Sequence, residues 1–283
     1  MERKHHIRIV CFMRKEKLLF LSLLIIIISS ANLYGRDVIE VLAFEYPPIY
    51  QNREDPGLSC EIVVAAFNAV DIEVNLRFLP VVRMIRMLAE GEAICAIGGT
   101  ILFEEPEVSK AVEISSVVQY VVQTFIYDSR RYPEGISYDH LSDMTLYEIG
   151  VLNGSGIMRF LEKTTELRLH ANTRHEGTAK QLHQRRVDVW AIVDLTGIMY
   201  LNKLYPSEAH HYHVTEPYHF GDVSAVFSKI RDSENYYNNQ FKQGLDIIKK
   251  NGTYLEIMAK YYGGRDRINP YTLSLDMRQE LNQ

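Results

Sequence analysis

Apolar and polar positions along this chain alternate between two periods. Residues 38–43 read as a strand, 58–70 as a helix with one apolar face, 74–79 as a strand and 81–88 as a helix ended by Gly91. Residues 93–97 are apolar throughout, the composition of a strand covered on both faces of a parallel sheet. A long β-rich run covers 117–127, and the polar, turn-forming stretch 128–135 breaks it. The pattern then restarts: a strand at 146–152, a turn at 153–156, a helix through Lys163, a strand near 167–170, a helix near 176–184 and an apolar strand at 187–193. Two β-α-β series flanking a polar break predict an α/β protein with two lobes, a mixed sheet in each. Near the end, Tyr237, Phe241, Leu245 and Ile248 form one helical stripe with Ser233 as its N-cap, stopped by Asn251-Gly252. Thr253 and Glu256 have capping-box spacing, Ile257 and Tyr261 share the next buried face, and Gly263-Gly264 ends that element.

The N-terminus changes the picture of where the protein works. Lys15 and Lys17 precede an apolar run at 18–28, and Ser29, Ser30 and Ala31 follow, which describes a secretory signal peptide over residues 1–31. The run is shorter than the roughly 20 residues a bilayer span needs. Met13 is an alternative initiator, since residues 13–17 are themselves a charged start. With no Cys directly after the apolar run, a free periplasmic protein of a Gram-negative cell is expected rather than a lipid-anchored one. Removing six Lys/Arg and two Asp/Glu with the leader takes the balance from 31 against 36 to 25 against 34, a net charge of −9. That acidity argues against nucleic acid as a partner. Cys11 lies in the leader, and Cys60 and Cys95 sit in apolar segments that favour buried free thiols over a disulfide.

Several patches, in order, resemble the extracellular solute-binding proteins that feed amino-acid ABC importers. They are Tyr46-Pro-Pro-Ile-Tyr50 before Gly57-Leu58; Leu79-Pro80 with Arg83 and Leu88-Ala-Glu-Gly91; and Asp139-His-Leu141 with Glu148-Ile-Gly-Val151 and Gly154-Ser155. Arg186 to Asp194 and the C-terminal segment 251–263 complete the set. The resemblance implies a type 2 periplasmic binding protein fold. Lobe one would comprise 37–127 with 222–283 and lobe two 128–221, with hinge crossings at both ends of lobe two and a ligand cleft between the lobes. It also implies capture of a small polar or zwitterionic solute by hinge closure, a monomer, and an inner-membrane ABC permease as partner, with no cofactor.

The expected ligand residues are Glu45, Tyr46, Tyr50, Arg83, Gly99, Thr100, Gly154, Ser155 and Asp194. Tyr46 and Tyr50, braced by two prolines, suit flat walls or a face for a cation, and equally suit core packing. Gly154-Ser155-Gly156 lies where a strand enters a helix, so backbone amides and the helix dipole can hold a carboxylate. An acid at Asp194 pairs with a substrate ammonium in the family, a role compatible with capping a helix. Arg83 or Arg86 can clamp an anion or pair with Glu90. One departure stands out: the family's Thr and Arg clamp for the α-carboxylate is missing from 103–116, which leaves Thr100 and Arg83 as substitutes or points to a ligand other than an ordinary α-amino acid. His210, His211, His213, His219 and Asp222 cluster without structural-zinc spacing, so no metal is expected. Two other functions compete with transport. One is an enzyme of the same fold, similar to cyclohexadienyl dehydratases, with Glu45, Asp194 and His219 as acid-base groups. The other is a sensor for a signalling partner. No nucleophile-base motif supports catalysis, so a binding protein and not an enzyme is expected.

Overall fold

The computed structural model describes residues 37–281 except 53 and 165. The expected leader, Cys11 and Met13 lie outside the described residues. From the N-terminal side, β1 (Asp37–Ala43) leads through a loop to α1 (Leu58–Asn68), then β2 (Ile72–Phe78), α2 (Val81–Ala89) and β3 (Cys95–Gly98). The short α3 (Pro106–Ala111) precedes β4 (Val112–Asp128). Next come β5 (Glu148–Leu152), α4 (Gly156–Leu161), β6 (Arg168–Asn172), α5 (His175–His183), β7 (Val189–Val193) and α6 (Asp194–Leu204). The chain returns through β8 (Tyr212–Val214) and β9 (His219–Ser228) and finishes with α7 (Tyr236–Lys250), α8 (Thr253–Tyr262) and α9 (Leu275–Leu281).

Each half of the fold is a β-layer with apolar side chains on both faces. In the first half β1 and β3 run parallel, with Val41 opposite Cys95, and β9 joins β3 antiparallel. One face packs Ile39, Val41 and Phe227 against Phe67 of α1 and Phe241 of α7, with the Phe67 and Phe241 rings 5.5 Å apart. The other face packs Leu42, Ala96 and Val226 on Met84 and Leu88 of α2. Helices α1 and α7 approach so closely that a Cβ on Gly244 would lie 1.8 Å from the Ala66 carbonyl oxygen, so only glycine fits there. In the second half β5, β6 and β7 run parallel. Ile149, Val151 and Val189 bury toward Leu161 of α4, while Trp190 and Ile192 bury toward Leu182 of α5 and Leu201 of α6. Alternation along β7 therefore serves two different helical layers.

The halves were expected to carry one mixed sheet each, and in hydrogen bonding the two sheets are joined. β4 and β9 pair antiparallel from Val112↔Ser228 to Gln123↔His219, so the strand order β2-β1-β3-β9-β4-β7-β5-β6 is unbroken. The physical reason is the length of β4, 17 residues, which carries it out of one half and into the other. Register shifts between Ile114 and Val117 and between Val117 and Gln119 curl the pair where it leaves the first half.

Two local expectations are corrected. Ser233 does not cap α7; the Asp232 carboxylate does, accepting from the amides of Tyr237 and Asn238, both at 3.0 Å. Two amides share one carboxylate there, which a single hydroxyl cannot match. Thr253 and Glu256 form no capping box, because α8 follows Gly252 in the left-handed region and the Thr253 amide donates to Asn251 Oδ1 at 3.1 Å. Gly263-Gly264 ends α8 as expected, with Gly263 in the left-handed region at φ 80°. Ile268, Leu273 and Met277 return to the first core, so the segment after α8 is a strap held at its ends by apolar burial. Cys60 and Cys95 are buried free thiols, with burial pushing both well above the usual thiol range.

Candidate functional site

The parallel strands of both halves end in loops that meet, the usual location of a ligand crevice in α/β folds. After β1, a tight turn brings the Tyr46 amide to the Tyr50 carbonyl at 2.8 Å, while the Ile49 and Tyr50 amides both donate to Tyr46 O at 3.0 Å. The carbonyls of Pro48 and Ile49 then accept from the Leu58 and Ser59 amides, so the loop itself caps α1. Gly57, at φ 86°, is required because a Cβ would lie 2.8 Å from Pro48 O. Tyr50 is buried under Phe44, with ring centroids 4.6 Å apart. Tyr46 is half-buried and packs against apolar residues of both halves, meeting the His175 ring edge-on at 5.8 Å.

The remaining expected residues divide. Thr100, after β3, donates its hydroxyl to Asp222 Oδ1 at 2.6 Å, and Ser224 donates to Asp222 Oδ2 at 3.2 Å. Gly99 sits against the same segment, since a Cβ there would lie 3.3 Å from Asp222 O. Burial, and to a lesser degree the charges of Cys60, Asp222 and Tyr46, push the Tyr50 phenol well up. Gly154 is exposed at φ 69°, and Ser155 Oγ is committed to capping α4, accepting from the Met158 amide at 3.0 Å. Glu45 and Arg83 are exposed, and Arg86 lies 3.8 Å from Glu90 on the surface.

Asp194 opens α6 and is only 2 % exposed. Its Oδ1 accepts from the Leu195 amide at 2.6 Å and its Oδ2 from Asn269 Nδ2 at 2.7 Å. Burial outweighs both bonds and pushes the carboxyl up to about 6. A cavity of about 360 Å³ adjoins it, lined by Thr124, Ile198, Glu216, Tyr262 and Asn269 among others. A second, of about 640 Å³, lies between the first loop (Pro48, Gln51), α6 (Met199, Asn202) and the end of α8 (Lys260, Tyr262).

Sequence reasoning missed four contributors. His175 touches Tyr46 and Tyr200, and burial lowers its basicity. Tyr218 packs on Phe125 at 4.7 Å, next to His219 stacked on Phe160 at 4.4 Å; burial and Lys163 lower His219. Gln123 lies on β4 opposite His219. Asn269 is the fourth. The buried polar atoms His175 Nδ1, Gln123 Oε1 and Tyr218 OH have no hydrogen-bond partner among the described residues. One signal was available: Gln119 and Gln123 are amides inside a 17-residue strand otherwise rich in apolar residues.

The fold these features build is that of the two-lobed type 2 periplasmic binding proteins. No protein-family model matches the sequence, and no curated relative matches it; the likeness is one of structure. The L-cystine solute receptor of Neisseria gonorrhoeae in its unliganded open conformation is 14% identical, with a TM-score of 0.63 over 85% of this chain and 96% of that one. An ancestral cationic amino-acid solute-binding protein is 17% identical, with a TM-score of 0.65 over 80% and 96%. A histidine kinase sensor domain described as similar to periplasmic binding proteins is 15% identical, with a TM-score of 0.59 over 81% and 98%.

Proposed function

We propose that this protein is a periplasmic solute-binding protein. It captures a small polar or zwitterionic solute, an amino acid or a related compound, between its two halves and hands it to an inner-membrane ABC permease. The observation that carries the reading is the convergence at Tyr46. An aromatic side chain from one half meets His175 of the other, near β4 and β9, where Gln123 and Tyr218 keep buried polar atoms without partners among the described residues. Aromatic walls with a few unsatisfied polar groups are what a small-solute site needs, because apolar burial supplies affinity and the polar groups supply identity. The similarity in fold to the L-cystine receptor and the ancestral cationic amino-acid binding protein supports the solute class, and the leader-like sequence pattern of residues 1–31 supports export. The histidine kinase sensor domain among the similar structures favours a second reading, in which the same capture informs a signalling partner.

The test is thermal denaturation against a panel of amino acids, amines and small organic acids. One chemical class should raise the melting temperature of the wild type, by mass action on the native state. Tyr46→Ala should lose that shift, and the solute should be recovered unchanged. A shift equally large in Tyr46→Ala removes the cleft from the function. Conversion of the solute to a product replaces capture with catalysis.

A further inference from the structure

On β9, Ser224 pairs with Gly98, the last residue of β3, so Asp222 stands just beyond the rim where the parallel strands of the first half give way to their loops. Its half-buried carboxylate is held from two sides. Thr100 donates its hydroxyl to Oδ1 at 2.6 Å, and Ser224, itself fully buried, donates to Oδ2 at 3.2 Å. Neither donor is charged, and no Lys or Arg lies within ion-pair distance of Asp222 among the described residues. A carboxylate has about four acceptor sites, so about two stay open here. Tyr120 lies directly across the β4–β9 ladder and shares that face, which puts an aromatic side chain beside the acid.

We propose that Asp222 is the specificity-determining acid of the first half, and that the solute it receives is an amine with no carboxylate next to its cationic group. This substrate class rests on the solute-capture reading and narrows it. The single hydroxyl hydrogen of Thr100 is committed to Asp222, so Thr100 offers a solute only lone pairs, and the same holds for Ser224. The end of β3 therefore presents acceptors and a fixed negative charge. A solute carboxylate placed there meets like charge and no side-chain donor from these three residues. An ammonium instead fills the open acceptor sites of Asp222 with charge-assisted bonds, and Tyr120 offers a π-face to the cation or its stem. Nothing nearby in the chain restores a carboxylate seat. No Arg occurs in 103–116, and the one Lys there, Lys110, pairs with Glu107. Asp194 differs from Asp222 in being answered by Asn269 from within the chain.

The experiment is titration calorimetry on the wild type and Asp222→Asn with matched pairs: L-lysine and cadaverine, L-arginine and agmatine, L-ornithine and putrescine. The members of each pair differ only in the α-carboxylate. In at least one pair the amine should bind the wild type tenfold or more tightly than the amino acid, and Asp222→Asn should weaken that amine tenfold or more. Circular dichroism confirms the folding of the variant, and the wild-type comparison decides alone if the variant does not fold. Less than a tenfold preference for the amine in every pair overturns the proposal. So does the absence of binding by all of these probes, or a loss of less than tenfold in folded Asp222→Asn. If amino acids or organic acids still stabilise the wild type and not Tyr46→Ala, solute capture stands and only the assignment of Asp222 falls.

Discussion

The carboxyl of Asp194 makes the stability of this protein depend on pH in a direction opposite to that of an ordinary paired acid. Its folded value of about 6 lies about 2 units above its ordinary 3.8, because burial penalises the ionised form more than Asn269 and the Leu195 amide favour it. At 1.36 kcal/mol per unit, ionisation of this one group costs the native state about 3 kcal/mol. The sign follows from the raised value. Below about pH 4 the acid is protonated folded and unfolded alike, and no cost arises. Between about pH 4 and pH 6 the unfolded chain releases the proton and the native state keeps it, so stability falls as pH rises, and above about 6 the full cost is present.

Asp194→Asn removes the titration and keeps the shape. It has one acceptor where two donors converge, so it carries a pH-independent loss of about 1–3 kcal/mol for the donor left unmatched. The diagnostic quantity is therefore the change with pH of the difference between the proteins. The variant should gain on the wild type by about 3 kcal/mol from pH 4 to pH 7, and all other titrating groups cancel. Urea unfolding followed by fluorescence reads this directly, because the single tryptophan, Trp190, is fully buried in the same half as Asp194. Parallel stability profiles for the two proteins across that range would mean that Asp194 is hydrated or paired with a cation in the native state, and the reasoning from burial would be wrong.

Four further substitutions test the scaffold. Gly244→Ala forces a Cβ against the Ala66 carbonyl, and overpacking should outweigh the gain in helix propensity, with a net loss of about 2 kcal/mol in denaturant unfolding; an unchanged midpoint would show that α1 and α7 separate freely. Tyr254→Phe removes a buried 2.9 Å hydrogen bond to Val118 O and should cost about 1 kcal/mol without moving the fold, as read by melting temperature and circular dichroism. Asp232→Ala strips two amides of their acceptor at the start of α7 and should cost about 1–2 kcal/mol, whereas Ser233→Ala should cost almost nothing; the reverse order would restore Ser233 as the cap.

The regular elements were legible because each carries one period for its whole length. Residues 81–88 and the stripe Tyr237, Phe241, Leu245, Ile248 face a single core, and both helices appear within a residue or two of their expected bounds. Helix α6 left no comparable signal: β-branched and small residues at Thr196, Gly197 and Ile198 interrupt its stripe, and its first turn buries against neighbours from both halves. The strap was illegible for another reason. Its order comes from three separated apolar anchors, Ile268, Leu273 and Met277, with no repeat between them, so only tertiary contacts specify it.

The candidate site was legible to the extent that a single loop makes it. Tyr46 and Tyr50 belong to one turn, and prolines with aromatics on consecutive positions announce a fixed wall; which of the two faces inward depends on Phe44, and that is a packing outcome. Contacts such as Tyr46 with His175, Thr100 with Asp222, and Asp194 with Asn269 join residues 75 to 129 positions apart and obey no local rule. Asp194 shows the consequence most clearly. An acid at the end of an apolar strand reads as a group waiting for a cation. In the folded chain an amide 75 positions away already answers it, donated by a segment whose own order comes only from tertiary contacts, so the partner of that acid could not be read from the residues around it.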